Sequence, residues 1–270
     1  MTTTTRNAVD RLLTPKKPIS ASLEIGSGMG VAIGILVVWC VLTYGGIINP
    51  NFLPTPGAVL EGFFKVALNG TLLNHTRVSL TEIYVGFFLS SVIAIPVGIF
   101  MGSFRIVAAA IEPVVNFMRY LPVTSMIPLL ILWIGIGIEE KIAVIFLGTF
   151  FQQIVLAADV SSRVPEDILN VSYTLGANKR QIVTRVLIPA TLPGVMDTLR
   201  ITMGWAWTFL VVAELVASSS GLGYMILQAM RGLHPEQIFV GIFVIGFLGL
   251  VTDLAFKWLT RALLPWTEIR

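Results

Sequence analysis

Few polar side chains interrupt the long apolar runs of this 270-residue sequence, and those few are the places where chemistry could occur. Arg119, Gln152 and Glu214 each lie inside or beside such a run. A polar or ionisable group among apolar residues is costly to bury, so it usually faces a pathway or a partner side chain. With two tryptophans, these residues are the candidate lining of a polar pathway: Arg119, Trp133, Gln152, Trp205 and Glu214.

Each of these residues also has a plainer interpretation. Arg119 could attract an anion, or it could pair with a carboxylate or with carbonyl groups freed at Pro122. Glu214 could line the pathway, but a hydrogen bond or salt bridge between helices is its more ordinary role. Gln152 and its neighbour Gln153 are typical of hydrogen bonds between helices, and the tryptophans would by default be packing residues.

The sequence lacks the motifs of nucleotide, metal and acyl-transfer chemistry. It has no GxxxxGK[ST] loop, so ATP would have to be bound by another chain. No HExxH motif and no close group of His, Cys and Asp residues indicates a metal site. His75 and His234 lack a recognisable nucleophile nearby, and His75 is expected to be solvated in a loop. We therefore predict that the chain is not an enzyme and that it holds no cofactor.

Composition indicates a membrane protein. Hydrophobic residues make up 55% of the chain and charged residues 12%, whereas soluble domains carry roughly a quarter charged residues. The net charge of +3 comes from basic residues beside the apolar runs and not from one basic patch, which argues for a lipid environment and against nucleic acid. The single cysteine, Cys40, can form no disulfide within the chain. An all-α protein with several membrane spans is predicted.

The apolar runs predict about six spans, since roughly 20 apolar residues in a helix cross a bilayer. One of them, residues 106–136, is expected to be interrupted at Pro113, Pro122 and Pro128. The second span should present small residues to a neighbouring helix, at Gly86, Ser90, Ser91 and Gly98. The predicted spans are 26–48, 80–101, 106–136, 141–160, 193–217 and 238–259.

Basic residues predict the orientation of the spans. Most lysines and arginines lie in the N-terminal tail, in the two loops on the same side, or near the C-terminus. Cytoplasmic segments carry such an excess, so both termini are predicted to be cytoplasmic. The predicted domains are a cytoplasmic tail at residues 1–25 and a membrane domain at residues 26–270, whose core is 75–265.

The most polar internal stretch, residues 161–189, predicts two short helices joined by a tight corner. Acidic residues at 166 and 167 suit the first turn of a helix, and Gly176 tolerates the left-handed conformation that ends one. Asn178 can cap the second helix, which Pro189 is expected to end. Such an element is too polar for lipid and too apolar on one side for water, so it needs a partner.

This stretch resembles the EAA loop of the permease subunits of ATP-binding-cassette importers. The family pattern, E-A-A-x3-G-x9-I-x-L-P, is matched by Gly176 and by the ending at residues 186–189, with the same nine-residue gap. The leading triplet is Asn170-Val171-Ser172, so the usual glutamate and alanines are absent. Residues 121–137, 174–201 and 211–226 are similar to the nitrate, sulfonate, taurine and bicarbonate branch.

The resemblance implies a type I importer permease fold in a bacterial inner membrane. Its implied partners are cytoplasmic ATPase subunits that bind the ATP, a periplasmic or lipid-anchored solute-binding protein, and a second permease copy, by default in a homodimer. The implied solute is a small anion. The residues that would contact the ATPase are Tyr173, Thr174, Leu175, Gly176, Ala177, Asn178, Lys179 and Arg180.

A stand-alone secondary transporter or channel is the alternative that the sequence leaves open. Transporters of that class often contain inverted repeats, and none is evident here. The sequence also shows no acid pair embedded in the membrane that would suggest proton-driven transport.

Overall fold

The computed structural model describes residues 20–216 and 218–266, and every regular element in those two ranges is helical. The chain divides into two compact units, residues 1–60 and residues 61–270. Residues 1–19 of the predicted cytoplasmic tail lie outside the described residues. The helices are α1 (Ala21–Tyr44), α2 (Pro56–Leu68), α3 (Thr71–Ser103), α4 (Arg105–Met118), α5 (Val123–Ile134), α6 (Ile138–Ser162), α7 (Glu166–Thr174), α8 (Lys179–Ile182), a π-helical turn (Val183–Leu187), α9 (Ile188–Val216), α10 (Leu222–Arg231) and α11 (Pro235–Leu263).

In the described part of the first unit, α1 is followed by a loop and the start of α2. Two hydrogen bonds tie these residues back to the end of α1: the Trp39 indole donates to the Pro54 carbonyl of the loop at 2.9 Å, and the amide of Gly57, in the first turn of α2, donates to the Tyr44 hydroxyl at 3.2 Å. Apolar residues cover all sides of α1, as expected for a helix that contacts lipid or another apolar surface.

The number of spans agrees with the sequence prediction. Among the described residues, five helical segments are long and apolar enough to cross a membrane, and a bent pair of helices, α4 and α5, can supply a sixth. Two predicted boundaries differ by more than about five residues: the start of the second span and the start of the fifth span. The second span begins at Thr71 and not near residue 80, so His75 lies in a helix and the prediction of a loop was wrong.

The third predicted span is broken once. Between α4 and α5 the chain bends by 92° over residues 119–122. The breaks predicted at Pro113 and Pro128 were wrong, because both prolines lie inside helices. A proline removes only one backbone hydrogen bond, and packed neighbours in a membrane protein can offset that loss.

The fifth span continues from the polar corner without interruption. Lys179–Val216 forms one helical segment, so the prediction that Pro189 ends the preceding helix was wrong. The π-helical turn at Val183–Leu187 explains the difference. It shifts the hydrogen-bonding register by one residue just before Pro189, which has no N–H to lose.

The core of the second unit is the close packing of α3 on α6, which small residues permit. A Cβ atom on Gly98 would lie 2.6 Å from the carbonyl oxygen of Ile154, and one on Gly86 would lie 2.9 Å from that of Ile142. Gly102 contacts Ala158 in the same manner. The predicted small-residue face of the second span is confirmed, and this line of contacts is called the glycine seam below.

A buried amide joins three helices near the middle of the seam. The Ser90 hydroxyl donates to Gln153 Oε1 at 3.0 Å, and Gln153 Nε2 donates to the hydroxyls of Ser91 at 3.0 Å and of Thr202 at 3.3 Å. These contacts connect α3, α6 and α9 and confirm that Gln153 forms hydrogen bonds between helices. These hydrogen bonds fix the positions of the three helices along their axes relative to one another.

The seam makes a first testable prediction. We expect Gly98→Ala to destabilise the protein by about 1–3 kcal/mol, because the added methyl group overpacks a backbone contact. The matched control is Gly204→Ala in α9, where a Cβ atom would meet nothing within 4 Å. Thermal unfolding of the purified protein measures both variants. An unchanged melting temperature for Gly98→Ala would mean that α3 and α6 can separate freely.

Candidate functional site

The structure places three of the five predicted pathway residues around one cavity of about 380 Å³, called the polar cavity below because it contains Arg119 and Gln152, although most of its lining is apolar. Arg119 and Tyr120 come from the break between α4 and α5, Gln152 comes from α6, and Trp205 and Phe209 come from α9. The bend of the third span turns the Arg119 side chain toward the other two helices. Residues that are far apart in the sequence, 119, 152 and 205, therefore share one lining.

Arg119 has N–H groups in this cavity that donate no hydrogen bond to the described residues. Its Nη2 atom donates to the Tyr120 hydroxyl at 3.1 Å, and its guanidinium carbon lies 4.9 Å from the centre of the Tyr120 ring. Its buried Nε–H has no hydrogen-bond partner among the described residues. Across those same residues no carboxylate forms an ion pair with Arg119. A guanidinium in this state can bind an anion through its remaining N–H groups.

The two other predicted pathway residues lie elsewhere. Trp133 is on α5, where 67% of its surface is exposed, and it does not line the cavity. Glu214 is completely buried near the end of α9, where it accepts hydrogen bonds from the Ser79 hydroxyl and the Gly223 amide, each at 2.5 Å. Those contacts are the hydrogen bonds between helices that we expected as its ordinary role.

An embedded acid pair is present, contrary to the sequence prediction. Glu82 on α3 is buried beside Glu214, and Glu140 and Lys141 at the start of α6 are buried nearby. The prediction was wrong because Glu82 and Glu214 are distant in the sequence and only the fold brings them together. One signal was available: His75, Ser79 and Glu82 are spaced by four and then three residues, which places them on one face of a helix.

The polar corner has the local geometry that its residues predicted. Gly176 has a φ of +83°, which is the left-handed region that glycine favours. Asn178 caps α8 in a reciprocal pair with Gln181: each side chain accepts the other residue's backbone N–H at 2.9 Å. The corner therefore turns sharply at residues 175–178 between α7 and α8.

The tip of the corner is exposed and carries both apolar and basic side chains. Leu175 is 82% exposed, and Tyr173 is about half exposed. Lys179 and Arg180 are also exposed, whereas Ile182 and Leu187 are buried toward the membrane helices. Of the eight predicted contact residues, Ala177 alone is partly covered, and the rest are exposed: Tyr173, Thr174, Leu175, Gly176, Asn178, Lys179 and Arg180.

A comparison with protein families shows which family contains this cavity and this corner. Residues 94–268 match the family described as binding-protein-dependent transport system inner membrane component. The chain belongs to this family. The matched region runs from the second half of α3 to beyond α11, and it includes both the polar cavity and the exposed corner of this inner membrane component.

Alignments with relatives of this inner membrane component cover most of this chain and most of each relative. A probable ABC transporter permease protein of Brucella abortus (strain 2308) is 39% identical, over 85% of this chain and 91% of the relative. The taurine transport system permease protein TauC of Escherichia coli (strain K12) is 33% identical over 91% of both chains. The nitrate import permease protein NrtB of Synechocystis is 29% identical over 87% and 88%.

A solved structure shares the fold of this inner membrane component. One chain of the MetNI methionine ABC transporter, in an inward-facing conformation, matches with a TM-score of 0.58 and 23% identity. The match covers 70% of this chain and 98% of the MetNI chain. The predicted type I importer permease fold is confirmed by this likeness together with the family match.

The cap of α8 makes a second prediction. We expect Asn178→Ala to cost the corner about 1 kcal/mol, because the Gln181 amide loses the side-chain oxygen of residue 178 as its acceptor. Amide hydrogen exchange at residues 179–182 should then become roughly fivefold faster, as that free energy implies. Asn178→Ser, which retains a capping oxygen, is the control. Equal exchange rates in the alanine variant and the parent would show that the cap does not hold the corner.

Proposed function

We propose that this chain is the membrane-spanning permease subunit of an ATP-driven importer that takes up a small anion, such as nitrate, taurine, an alkanesulfonate or bicarbonate. The observation that carries the proposal is the exposed helix–glycine–helix corner within a chain of this transport family. A permease that binds no nucleotide itself needs such a surface to receive the motion of an ATPase. The embedded pair Glu82 and Glu214 removes one argument against a stand-alone transporter, but the family match favours the importer permease.

The corner suits a groove on a cytoplasmic ATPase subunit. An exposed leucine and tyrosine next to two cations form a small apolar patch with a basic edge. Apolar side chains that lie outside lipid and are this exposed usually mark a surface that another protein covers. The buried Ile182 and Leu187 connect the corner to the membrane helices, so a force on the tip reaches α9 directly.

The polar cavity suits the solute. Its volume of about 380 Å³ lies within the range of small-molecule pockets, which is roughly 300–1,000 Å³. Arg119 supplies a positive charge and free N–H donors, Gln152 an amide and Trp205 an aromatic surface. An oxyanion with a short organic part would match these groups. Trp133 and Glu214 do not line this cavity, and their place in the pathway stays a prediction.

The assembly that we propose contains two permease copies, two ATPase subunits and a solute-binding protein that delivers the anion at the outer face. One permease-type segment is present in the chain, so the second copy is proposed to be identical. The corner faces the cytoplasm together with both termini, as the distribution of basic residues favours. ATP closes the ATPase pair, brings the two corners together and opens the pathway outward.

Co-purification tests the proposal. The tagged permease is isolated from its host, and the associated chains are identified by mass spectrometry. We expect a stoichiometric ATPase that is lost when Lys179 and Arg180 are both replaced by glutamate. The control is Arg231→Glu, which reverses an exposed cation at the end of α10. Recovery of the permease without an ATPase, under conditions that keep such complexes whole, would contradict the proposal.

A further inference from the structure

The N-terminus of α10 is held by side chains from two other helices. Three consecutive amides, at residues 221–223, donate to His75 Nδ1 at 3.0 Å, to Ser79 Oγ at 2.8 Å and to Glu214 Oε2 at 2.5 Å, in that order. The first turn of a helix normally leaves its N–H groups without internal partners. Here α3 and α9 supply all three acceptors, and we call His75, Ser79 and Glu214 the α10 cap.

Ser79 is the central member of the α10 cap. Its hydroxyl accepts the Leu222 amide and at the same time donates to Glu214 Oε1 at 2.5 Å. Both Ser79 and Glu214 are completely buried. The loss of this one hydroxyl would therefore remove a bond from α3 to α10 and a bond from α3 to α9.

The carboxyl groups behind the α10 cap are not fully paired in this conformation. Glu82 Oε2 and both carboxyl oxygens of Glu140 are buried, and within the described ranges they accept no hydrogen bond. The Lys141 ammonium forms an ion pair with Glu140 Oε2 at 3.6 Å, and it donates a hydrogen bond to the Gly137 carbonyl. Buried oxygens without donors raise the free energy of the state that contains them.

The α10 cap is attached to the helix that lines the polar cavity. Trp205 lines the cavity and Glu214 lies nine residues further along α9, which is roughly 13 Å of helix at about 1.5 Å per residue. The cavity lining and the α10 cap are thus connected by one helix, α9, and a displacement of this helix changes both. Glu82 on α3 and Glu140 on α6 keep oxygens that accept no hydrogen bond among the described residues, so displacement of α10 would open this cluster to donors that the present conformation withholds.

We propose that Ser79 and Glu214 are positioning residues for transport: they hold α10 against α3 in the conformation described here, and α10 leaves α3 during the transport cycle. This proposal rests on the proposed function, since the cycle that moves α10 is driven by the ATPase. In this role the α10 cap acts through α10 and needs no contact with the solute.

A buried reporter on α10 tests this proposal. Cys40, the single cysteine, is replaced by alanine, and Ala229, which is buried on α10, is replaced by cysteine. The permease–ATPase complex is placed in lipid nanodiscs, and the rate of maleimide labelling is measured with and without ATP and vanadate. We expect slow labelling without nucleotide and faster labelling with ATP and vanadate.

The Ser79→Ala substitution should release α10. Without nucleotide, we expect labelling to become about tenfold faster, as the loss of buried hydrogen bonds implies. The matched control is Ser90→Ala, which removes an equally buried hydroxyl from the same helix but breaks contacts to Gln153 instead. It should label like the parent. Ser79→Thr, which keeps a hydroxyl, should restore slow labelling, and Glu214→Gln provides a second variant with an intermediate rate.

Two results would overturn the proposal on α10, and a third would overturn the proposed function. Equal labelling of Ser79→Ala and Ser90→Ala would overturn the positioning role. Labelling that never responds to ATP and vanadate, in a complex that contains the ATPase, would show that α10 does not move in the cycle and would overturn it too. Absence of the ATPase from the purified complex would instead overturn the proposed function.

Discussion

Replacement of Gly176 by valine should leave the permease in the membrane but reduce ATPase binding and solute uptake by at least about tenfold. Gly176 has a φ of +83°, and a Cβ atom there would meet nothing within 4 Å. The penalty therefore comes from the backbone alone, at roughly 1–2 kcal/mol for an ordinary residue and more for a β-branched one. The corner would relax to a negative φ, which would change the angle between α7 and α8.

The Gly176→Asn variant separates this explanation from a simple loss of glycine. Asparagine enters the left-handed region more readily than other side chains, so this variant should keep most of the ATPase binding. Co-purified ATPase and uptake into membrane vesicles are measured for both variants, with permease abundance in the membrane as the reference. Normal association and uptake in Gly176→Val would rule out residues 173–180 as the docking surface.

Replacement of Arg119 by alanine should reduce uptake of a sulfonate such as taurine by about 10- to 100-fold. The expected loss corresponds to roughly 1.5–3 kcal/mol for a hydrogen bond to a charged group. Arg119 carries the charge of the cavity and has an unpaired Nε–H there. Arg119→Lys should retain part of the activity, because it keeps the charge but cannot present the planar donor pair.

The matched control for Arg119 is Arg231→Ala, which removes one exposed cation without touching the cavity. ATPase association should be unchanged in both variants, since the corner is intact. Uptake is measured as a function of taurine concentration, and again with nitrate as a smaller anion. An Arg119→Ala variant with parental uptake of both anions would remove the cavity from the pathway that we propose.

Local features were predictable from the sequence, and the reason is physical. Gly176 and Asn178 form the corner through contacts with residues no more than three positions away, so a short window contains all the information. Long apolar runs likewise predict spans, because the length of a helix that crosses a bilayer is set by the bilayer. The number of spans, the corner and the small residues of the glycine seam belong to this class.

Contacts between distant segments were not predictable in the same way. The α10 cap joins residues 75 and 79 to residues 214–223, and no pattern within one window connects them. His75 was misplaced because the polar residues at the start of α3 are typical of a loop. In the structure they lie in a helix, where His75 and Ser79 accept hydrogen bonds from α10 that only the fold supplies.

Prolines gave the least reliable local signal. Pro113, Pro128 and Pro189 lie within helices, whereas the bend falls at residues 119–122. A proline fixes its own φ and removes one donor, but it does not decide whether packed neighbours compensate. Of the four prolines that we predicted to interrupt or end a helix, only Pro122 lies in the bend. The cavity depends on this bend, because it brings Arg119 toward α6 and α9.

The glycine seam has a mechanical consequence. Backbones that touch at Gly86, Gly98 and Gly102 cannot slide past one another by a fraction of a helical turn without a steric collision. Helices α3 and α6, together called the beam below, should therefore move as one rigid body. Any conformational change must then occur at the irregular segments on either side of them. The bend at residues 119–122 and the π-helical turn at Val183–Leu187 flank that beam, one toward the cavity and one toward the corner. We expect these two irregular segments to act as the hinges of the subunit.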